Sequence, residues 1–176
     1  YVERLEKNWR KLIRPEDTIV LAGDISWAMR LTDTRRDFAF LQSLPGQKII
    51  MKGNHDYWWK SSSKLEARYP GMRFLKNNFD RYEDWHICGT RGWLCPNDVQ
   101  FTEQDKKIYE REQVRLRLSL DAAMRDGAEK IILMMHFPPM NDKQEDSAFT
   151  ALFREYPIKK VIYGHLHLSL IHISEP

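Results

Sequence analysis

Residues 49–56 of the chain read Ile49-Ile50-Met51-Lys52-Gly53-Asn54-His55-Asp56. The three leading apolar residues, two of them β-branched, are typical of a short buried strand. The strand ends at Gly53, where the backbone can turn sharply because there is no Cβ to clash. An amide, an imidazole and a carboxylate follow directly. Because α/β sheets place reactive groups at the carboxyl ends of their strands, this stretch predicts one corner of a functional site.

The same pattern, an apolar strand followed directly by polar side chains, occurs three more times. Thr18–Ala22 ends in Gly23-Asp24, Ile131–Met135 ends in His136, and Lys160–Tyr163 ends in Gly164-His165-Leu166-His167. Four of the six histidines belong to these strand ends. A polar turn would explain one such strand end, but four predict that these side chains gather at one edge of a sheet.

The chemistry of the four strand ends favours a divalent metal site. Carboxylate, amide and imidazole groups form an oxygen and nitrogen ligand set that suits cations of intermediate hardness, such as Mn, Fe, Zn or Ni. In extended structure His165 and His167 point the same way, about 7 Å apart, and could serve two neighbouring metals. A closed structural zinc site often uses thiolates, and neither Cys88 nor Cys95 lies in the set.

The composition is that of an ordinary globular domain. The 176 residues fit a single domain, with 42% apolar and 30% charged residues. A net charge of +3 is too small to indicate a nucleic acid or an anionic membrane as partner. No apolar run reaches the length of a membrane span, and two cysteines make no disulfide framework. These features indicate a soluble, reduced, cytoplasmic protein.

Periodicity predicts strands and helices that alternate around one sheet. Helices are predicted over residues 2–13, 33–44, 57–69, 103–125 and 147–155. Short strands at 73–75, 79–82 and 85–88 predict a mixed or antiparallel part of the sheet. The charged run from Glu103 to Arg117 predicts a solvated helix face.

In their order along the chain, the four strand-end motifs resemble the calcineurin-like metallophosphoesterase superfamily. They span residues 23–167, and the run from Gly53 to Trp59 resembles the small bacterial predicted phosphohydrolases within it. The resemblance implies a four-layer α-β-β-α sandwich with mixed sheets and the site at the strand ends. It also implies a hydrolase of phosphomonoesters or phosphodiesters that uses two divalent metal ions and a metal-bound hydroxide. The expected partner is a phosphorylated small molecule or a phosphodiester.

The resemblance also implies metal ligands position by position. Asp24 would bridge the two metals with one carboxylate, and His167 would ligate the first metal. The further ligands of the second metal would be Asn54, His136 and His165.

Other residues of the motifs and their neighbours have implied or open roles. His55 would not bind metal but would lie near the leaving-group oxygen as general acid or electrostatic stabiliser, and Asp56 would orient it. Arg91, between two glycines, could reach a substrate phosphate bidentately or make a surface ion pair. Trp58 and Trp59 favour helix packing over base stacking. Specificity would lie in loops such as 94–101 and 137–146.

This sequence departs from the superfamily in one respect, because no Asp-x-His motif precedes Asp24. That motif supplies two ligands of the first metal in the family, and Trp27 stands where many members carry a polar residue. We therefore expect an N-terminally truncated metallophosphoesterase domain over residues 1–168 that is itself impaired, from a parent enzyme. Residues 169–176 would form a tail that fits native and non-native sequence equally. A non-catalytic scaffold or binding module with the same fold is the alternative.

Overall fold

A computed structural model describes residues 2–98 and 100–166, which form two β-sheets covered by helices. The helices are α1 (Val2–Leu12), α2 (Arg35–Ser43), α3 (Ser62–Arg68), α4 (Glu103–Arg125) and α5 (Ala148–Leu152). The strands are β1 (Thr18–Leu21), β2 (Gln47–Met51), β3 (Met72–Leu75), β4 (Phe79–Tyr82), β5 (Trp85–Thr90), β6 (Ile131–Met135) and β7 (Ile158–Tyr163). A short 3-10 turn over Leu31–Thr34 precedes α2.

The strands divide into two sheets, so the expectation of one sheet is wrong and the two-sheet fold is confirmed. The first sheet has the order β1-β2-β3 with both pairs parallel. The second has the order β4-β5-β6-β7, antiparallel between β4 and β5 and parallel elsewhere. After β3 the chain turns at Asn77, whose φ is 61°, and enters the second sheet. The three consecutive short strands are therefore shared between the sheets.

Alternating side chains of the strands build three apolar cores, which makes the sandwich four layers deep. One set of buried side chains lies between the sheets: Ile49, Met51, Leu75, Ile87 and Met134. Ile50 and Phe74 face outward and pack with Phe38 of α2 and Leu65 of α3. On the other outer face, Ile131, Leu133 and Met135 pack with Leu116 and Leu120 of α4 and Phe149 of α5.

The helix predicted over residues 57–69 begins only at Ser62. Residues 57–61 are not helical, and Trp58 among them is held by the loops that follow β1 and β2. The indole Nε1 of Trp58 donates hydrogen bonds to the carbonyl oxygen of Ser26 at 2.9 Å and to the carboxylate of Asp56 at 3.2 Å. Trp58 and Trp59 are both buried, as expected of packing residues.

The longest helix, α4, has the predicted bounds. It begins with a capping box, in which Thr102 and Asp105 bond each other's backbone N–H groups. Its face toward the second sheet is buried, including the charged side chain of Glu112, which is 1% exposed. The prediction of a solvated face is therefore wrong at Glu112.

Among the described residues, no helix combines the length and apolar composition that crossing a membrane requires.

Candidate metal centre

The loops after β1 and β2 contact each other backbone to backbone through two glycines. A Cβ added to Gly23 would lie 2.6 Å from Cα of Gly53, and one added to Gly53 would lie 2.1 Å from Oδ1 of Asp24. The φ of Gly23 is +97°, a conformation that side chains with a Cβ rarely adopt. The two glycines therefore let Asp24 lie directly against residues 53–56.

The carboxylate of Asp56 holds the Asp24 loop in place. It is fully buried and accepts hydrogen bonds from the backbone N–H groups of Gly53, Asp24, Ile25 and Ser26 at 2.8, 2.8, 2.9 and 3.1 Å. Burial raises the pKa of Asp56, and the backbone donors oppose that rise because they favour the ionised form. The carboxylate of Asp56 contacts these N–H groups, and Asp24, whose loop it holds, contacts His55.

The ring of His55 is held by Asp24. Nδ1 of His55 lies 2.8 Å from Oδ2 of Asp24, and the backbone N–H of His55 donates to Oδ1 at 2.9 Å. Burial of Asp24 opposes its ionisation, but these bonds and the nearby His136 keep the pKa of Asp24 below its ordinary value. The carboxylate is therefore ionised at neutral pH.

Trp27 stacks on the imidazole of His55, with ring centroids 4.4 Å apart and an angle of 22° between the planes. The indole is 66% exposed, so one of its faces covers His55 while the rest meets solvent. In the sequence, Trp27 stands out only because many family members carry a polar residue at this position. The distance along the chain between Trp27 and His55 does not indicate that their side chains stack.

His136 carries the geometry that most favours a cation. Its Nδ1 lies 2.8 Å from the carbonyl oxygen of Ala22, which can only accept, so Nδ1 holds a proton. Burial lowers the pKa of His136, which favours the neutral ring with a lone pair on Nε2. Around Nε2 lie Asn54 Oδ1 at 2.7 Å, His165 Nδ1 at 3.2 Å and Asp24 Oδ2 at 3.5 Å. A divalent cation would satisfy these converging lone pairs.

The structure brings the predicted ligands of the second metal together. Asp24, His136 and His165 each offer a ligand atom, and these atoms lie within 4.8 Å of one another. His165 is held with φ of 67° and packs against the ring of Phe137, with centroids 4.1 Å apart. The predicted ligand His167 lies outside the described residues.

Arg91 lies in a buried ion pair rather than the surface pair that the sequence allowed. Its Nη2 donates to Oε1 of Glu112 at 3.1 Å, and its side chain is 15% exposed. The guanidinium also stacks over the ring of Trp93, 4.5 Å from the centroid. Its carbonyl oxygen accepts from the backbone N–H of His136 at 3.1 Å, so Arg91 is joined directly to a candidate ligand.

A cleft of about 360 Å³ opens beside His165. Its walls come from the two loops predicted to carry specificity, residues 94–101 and 137–146, and most of the lining is apolar. Trp93, Leu94, Phe137, Pro138 and Met140 contribute to it. The cleft is therefore the neighbouring space in which the body of a substrate could lie.

Comparison with known proteins identifies a family. The sequence model of the family described as calcineurin-like phosphoesterase matches residues 2–169. Among solved structures, the chain is similar to the protein of unknown function AQ665 from Aquifex aeolicus, with 18% sequence identity and a TM-score of 0.46. That match covers 89% of this chain and 72% of the other. No curated protein matches the sequence.

Proposed function

The chain belongs to the calcineurin-like phosphoesterase family, and we propose that its site hydrolyses a phosphomonoester or phosphodiester with two divalent metal ions. Its activity would be impaired, because no Asp-x-His motif precedes Asp24 to complete the ligands of one metal. One observation carries the proposal. The ligand atoms of Asp24, Asn54 and His165 surround the lone pair of His136 Nε2. A divalent cation bound among these neutral and anionic groups would be shared by their lone pairs.

The residues present fit one metal of such a centre more fully than the other, because no Asp-x-His motif precedes Asp24. Asn54, His136 and His165 would hold one metal, Asp24 would bridge to the other, and His167 would ligate the latter. The hydrogen bond from His136 to the Ala22 carbonyl orients the ring, as the outer contacts of metal-bound histidines commonly do. Two such cations acidify a bound water and stabilise the negative charge of the phosphoryl group. Mn, Fe, Zn or Ni would suit these ligands.

His55 is our candidate for the general acid. Its Nδ1 is engaged by the ionised Asp24, so Nε2 is the ring atom that would give a proton to the leaving oxygen. Asp56 acts indirectly, because its carboxylate holds the loop that carries Asp24. We therefore assign Asp56 as a positioning residue.

The test combines metal analysis with turnover of two chromogenic esters, p-nitrophenyl phosphate and bis(p-nitrophenyl) phosphate. We expect metal-dependent hydrolysis of at least one ester. Asp24→Asn should lose both metal and activity, whereas His55→Ala should keep the metal and lose about 10²–10⁴-fold in kcat. Glu16→Gln, at an exposed acid remote from the site, serves as control. Stoichiometric metal without turnover of either ester would contradict the proposal and support the scaffold alternative.

A further inference from the structure

A second, smaller cavity lies where the carboxyl ends of β2, β3 and β5 meet the side of α4. Its volume is about 100 Å³, enough for one small oxyanion but not for a larger organic molecule. Lys52 follows β2, Lys76 follows β3, Arg91 follows β5, and Arg115 reaches in from α4. Four cationic side chains from four different elements therefore line one small space.

The cavity carries uncompensated positive charge. Glu112 is the one acidic residue in its lining, so four positive charges against one negative charge leave a surplus of three. The Glu112 carboxylate is already engaged by Arg91 at 3.1 Å, Arg115 at 2.7 Å and the hydroxyl of Thr90 at 2.6 Å. Nothing within residues 2–98 and 100–166 forms a hydrogen bond or ion pair with Nζ of Lys52 or Lys76. An anion in the cavity would compensate these charges.

Two buried hydrogen-bond donors of the same lining have no acceptor. Nε1 of Trp59 and Nε of Arg91 are buried and make no hydrogen bond within the described residues. Trp59 is only 7% exposed, so bulk water does not replace the missing acceptor. Buried polar groups without a partner are uncommon and point to a missing ligand, water or ion. Both orphaned donors belong to residues that line the positively charged cavity.

We propose that this cavity binds a phosphate group at a site separate from the metal centre. A phosphate dianion offers several strong acceptors, which match the two lysines and the orphaned donors of Trp59 and Arg91. The backbone bond between Arg91 and His136 places the cavity beside the metal centre. The phosphate would therefore come from a second phosphate group of the substrate or from free inorganic phosphate. Only the first source rests on the proposed hydrolysis.

The binding test uses protein freed of metal with a chelator, so that the metal centre cannot hold the probe. Titration with inorganic phosphate at low ionic strength should show saturable binding of one phosphate. Lys76→Gln, at an exposed and unpaired lysine, should weaken it by about tenfold without affecting the fold. Lys160→Gln, at an exposed lysine of β7, is the matched control for loss of one positive charge. Absence of saturable binding, or equal weakening by the control, would overturn the proposal.

A second readout reports on the cavity itself. The indole N–H resonance of Trp59, assigned with Trp59→Phe, should move as phosphate fills the site, because a hydrogen bond forms at Nε1. The same resonance should respond only at higher phosphate concentration in Lys76→Gln. Saturable binding that leaves this resonance unmoved would place the phosphate elsewhere and overturn the proposal.

The two sources are separated with metal-loaded protein and two substrates that share one carbon chain, butyl phosphate and butane-1,4-diol bisphosphate. If the cavity takes a second substrate phosphate, Lys76→Gln should raise KM for the bisphosphate about tenfold and leave KM for butyl phosphate unchanged. Equal KM effects, with phosphate binding retained, would identify free phosphate as the ligand. Absence of hydrolysis would count against the proposed function only, because the metal-free titration still reports the site.

Discussion

Gly53 lies beneath the carboxylate of Asp24 so closely that no other residue type fits at this position. An added Cβ would lie 2.1 Å from Asp24 Oδ1 and 2.3 Å from the backbone nitrogen of Asp24. The φ of Gly53 itself is not in the left-handed region. The requirement for glycine is therefore one of close approach. It brings the loop after β2, which carries Asn54 and His55, against the loop after β1, which carries Asp24.

We predict that Gly53→Ala separates Asp24 from its neighbours and abolishes tight metal binding. The nearest obstacles include backbone, which cannot move aside like the end of a side chain, so the free energy of unfolding should fall by about 1–3 kcal/mol. Gly71→Ala is the control, because Gly71 has φ of +84° but nothing within 4 Å of its added Cβ. It should be strained and still bind metal. Full metal affinity in Gly53→Ala would contradict this account.

Asp56→Asn should destabilise the fold and the metal site together. An amide in place of Oδ2 would direct N–H groups at the N–H groups of Asp24 and Gly53, which now donate to that oxygen. We expect the free energy of unfolding in urea to drop by about 3 kcal/mol, since charge-assisted hydrogen bonds contribute about 1.5–3 kcal/mol each. Exposed Asp142→Asn is the matched control. A variant with native stability would show that these N–H groups do not depend on the charge.

The cluster of candidate ligands could be predicted from the sequence because each of them lies within three residues of the end of a strand. Asp24, Asn54, His136 and His165 come together since parallel strands end at one edge of a sandwich. The family match over residues 2–169 and the two-sheet fold agree with that reasoning. The short-range sequence pattern was enough to predict this cluster, because the end of a strand determines where the next residues lie.

Contacts between distant elements could not be predicted in this way. Glu112 lies in a run of charged residues, and only the packing of α4 on β5 shows that this carboxylate is buried against Thr90 and Arg91. The hydrogen bonds of Asp56 could not be predicted for a similar reason. Its carboxylate accepts from backbone N–H groups of a loop about 30 residues earlier in the chain. Nearly every residue type has such an N–H group, so a sequence pattern cannot indicate which ones will donate.

Glu112→Gln should cost about 3 kcal/mol of unfolding free energy, because it removes the charge that compensates two arginines in a buried place. Arg91 and Arg115 both donate to Oε1 of Glu112. Glu110→Gln, at an exposed acid on the same helix, should change stability by less than about 0.5 kcal/mol. Urea unfolding of the two variants makes the comparison. Equal stabilities of the two variants would mean that the ion pairs of Glu112 with the two arginines do not stabilise the fold.

Trp27→Ala should lower kcat for ester hydrolysis by roughly three- to tenfold, the loss expected when one aromatic contact holding His55 is removed. KM should change less, because the indole stacks on the imidazole rather than on the metal ligands. Trp27→Phe should restore most of kcat. Met29→Ala removes another exposed apolar side chain from the same loop and should leave kcat unchanged. A rise in KM alone would assign Trp27 to substrate binding instead.

Stability should fall at alkaline pH because of the buried thiol of Cys88. Burial raises the pKa of Cys88 to about 12, from an ordinary value of 9.0. The unfolded chain therefore releases this proton at lower pH than the folded one. The thiol's stabilising contribution is complete below pH 9 and declines between pH 9 and 12, by up to about 1.4 kcal/mol per pH unit. Urea unfolding at several pH values should show a steeper decline for the native protein than for Cys88→Ala. If stability fell equally steeply with pH in both proteins, the contribution of the Cys88 thiol would be ruled out. Rapid reaction of Cys88 with a thiol reagent in the folded protein at pH 8 would rule it out as well.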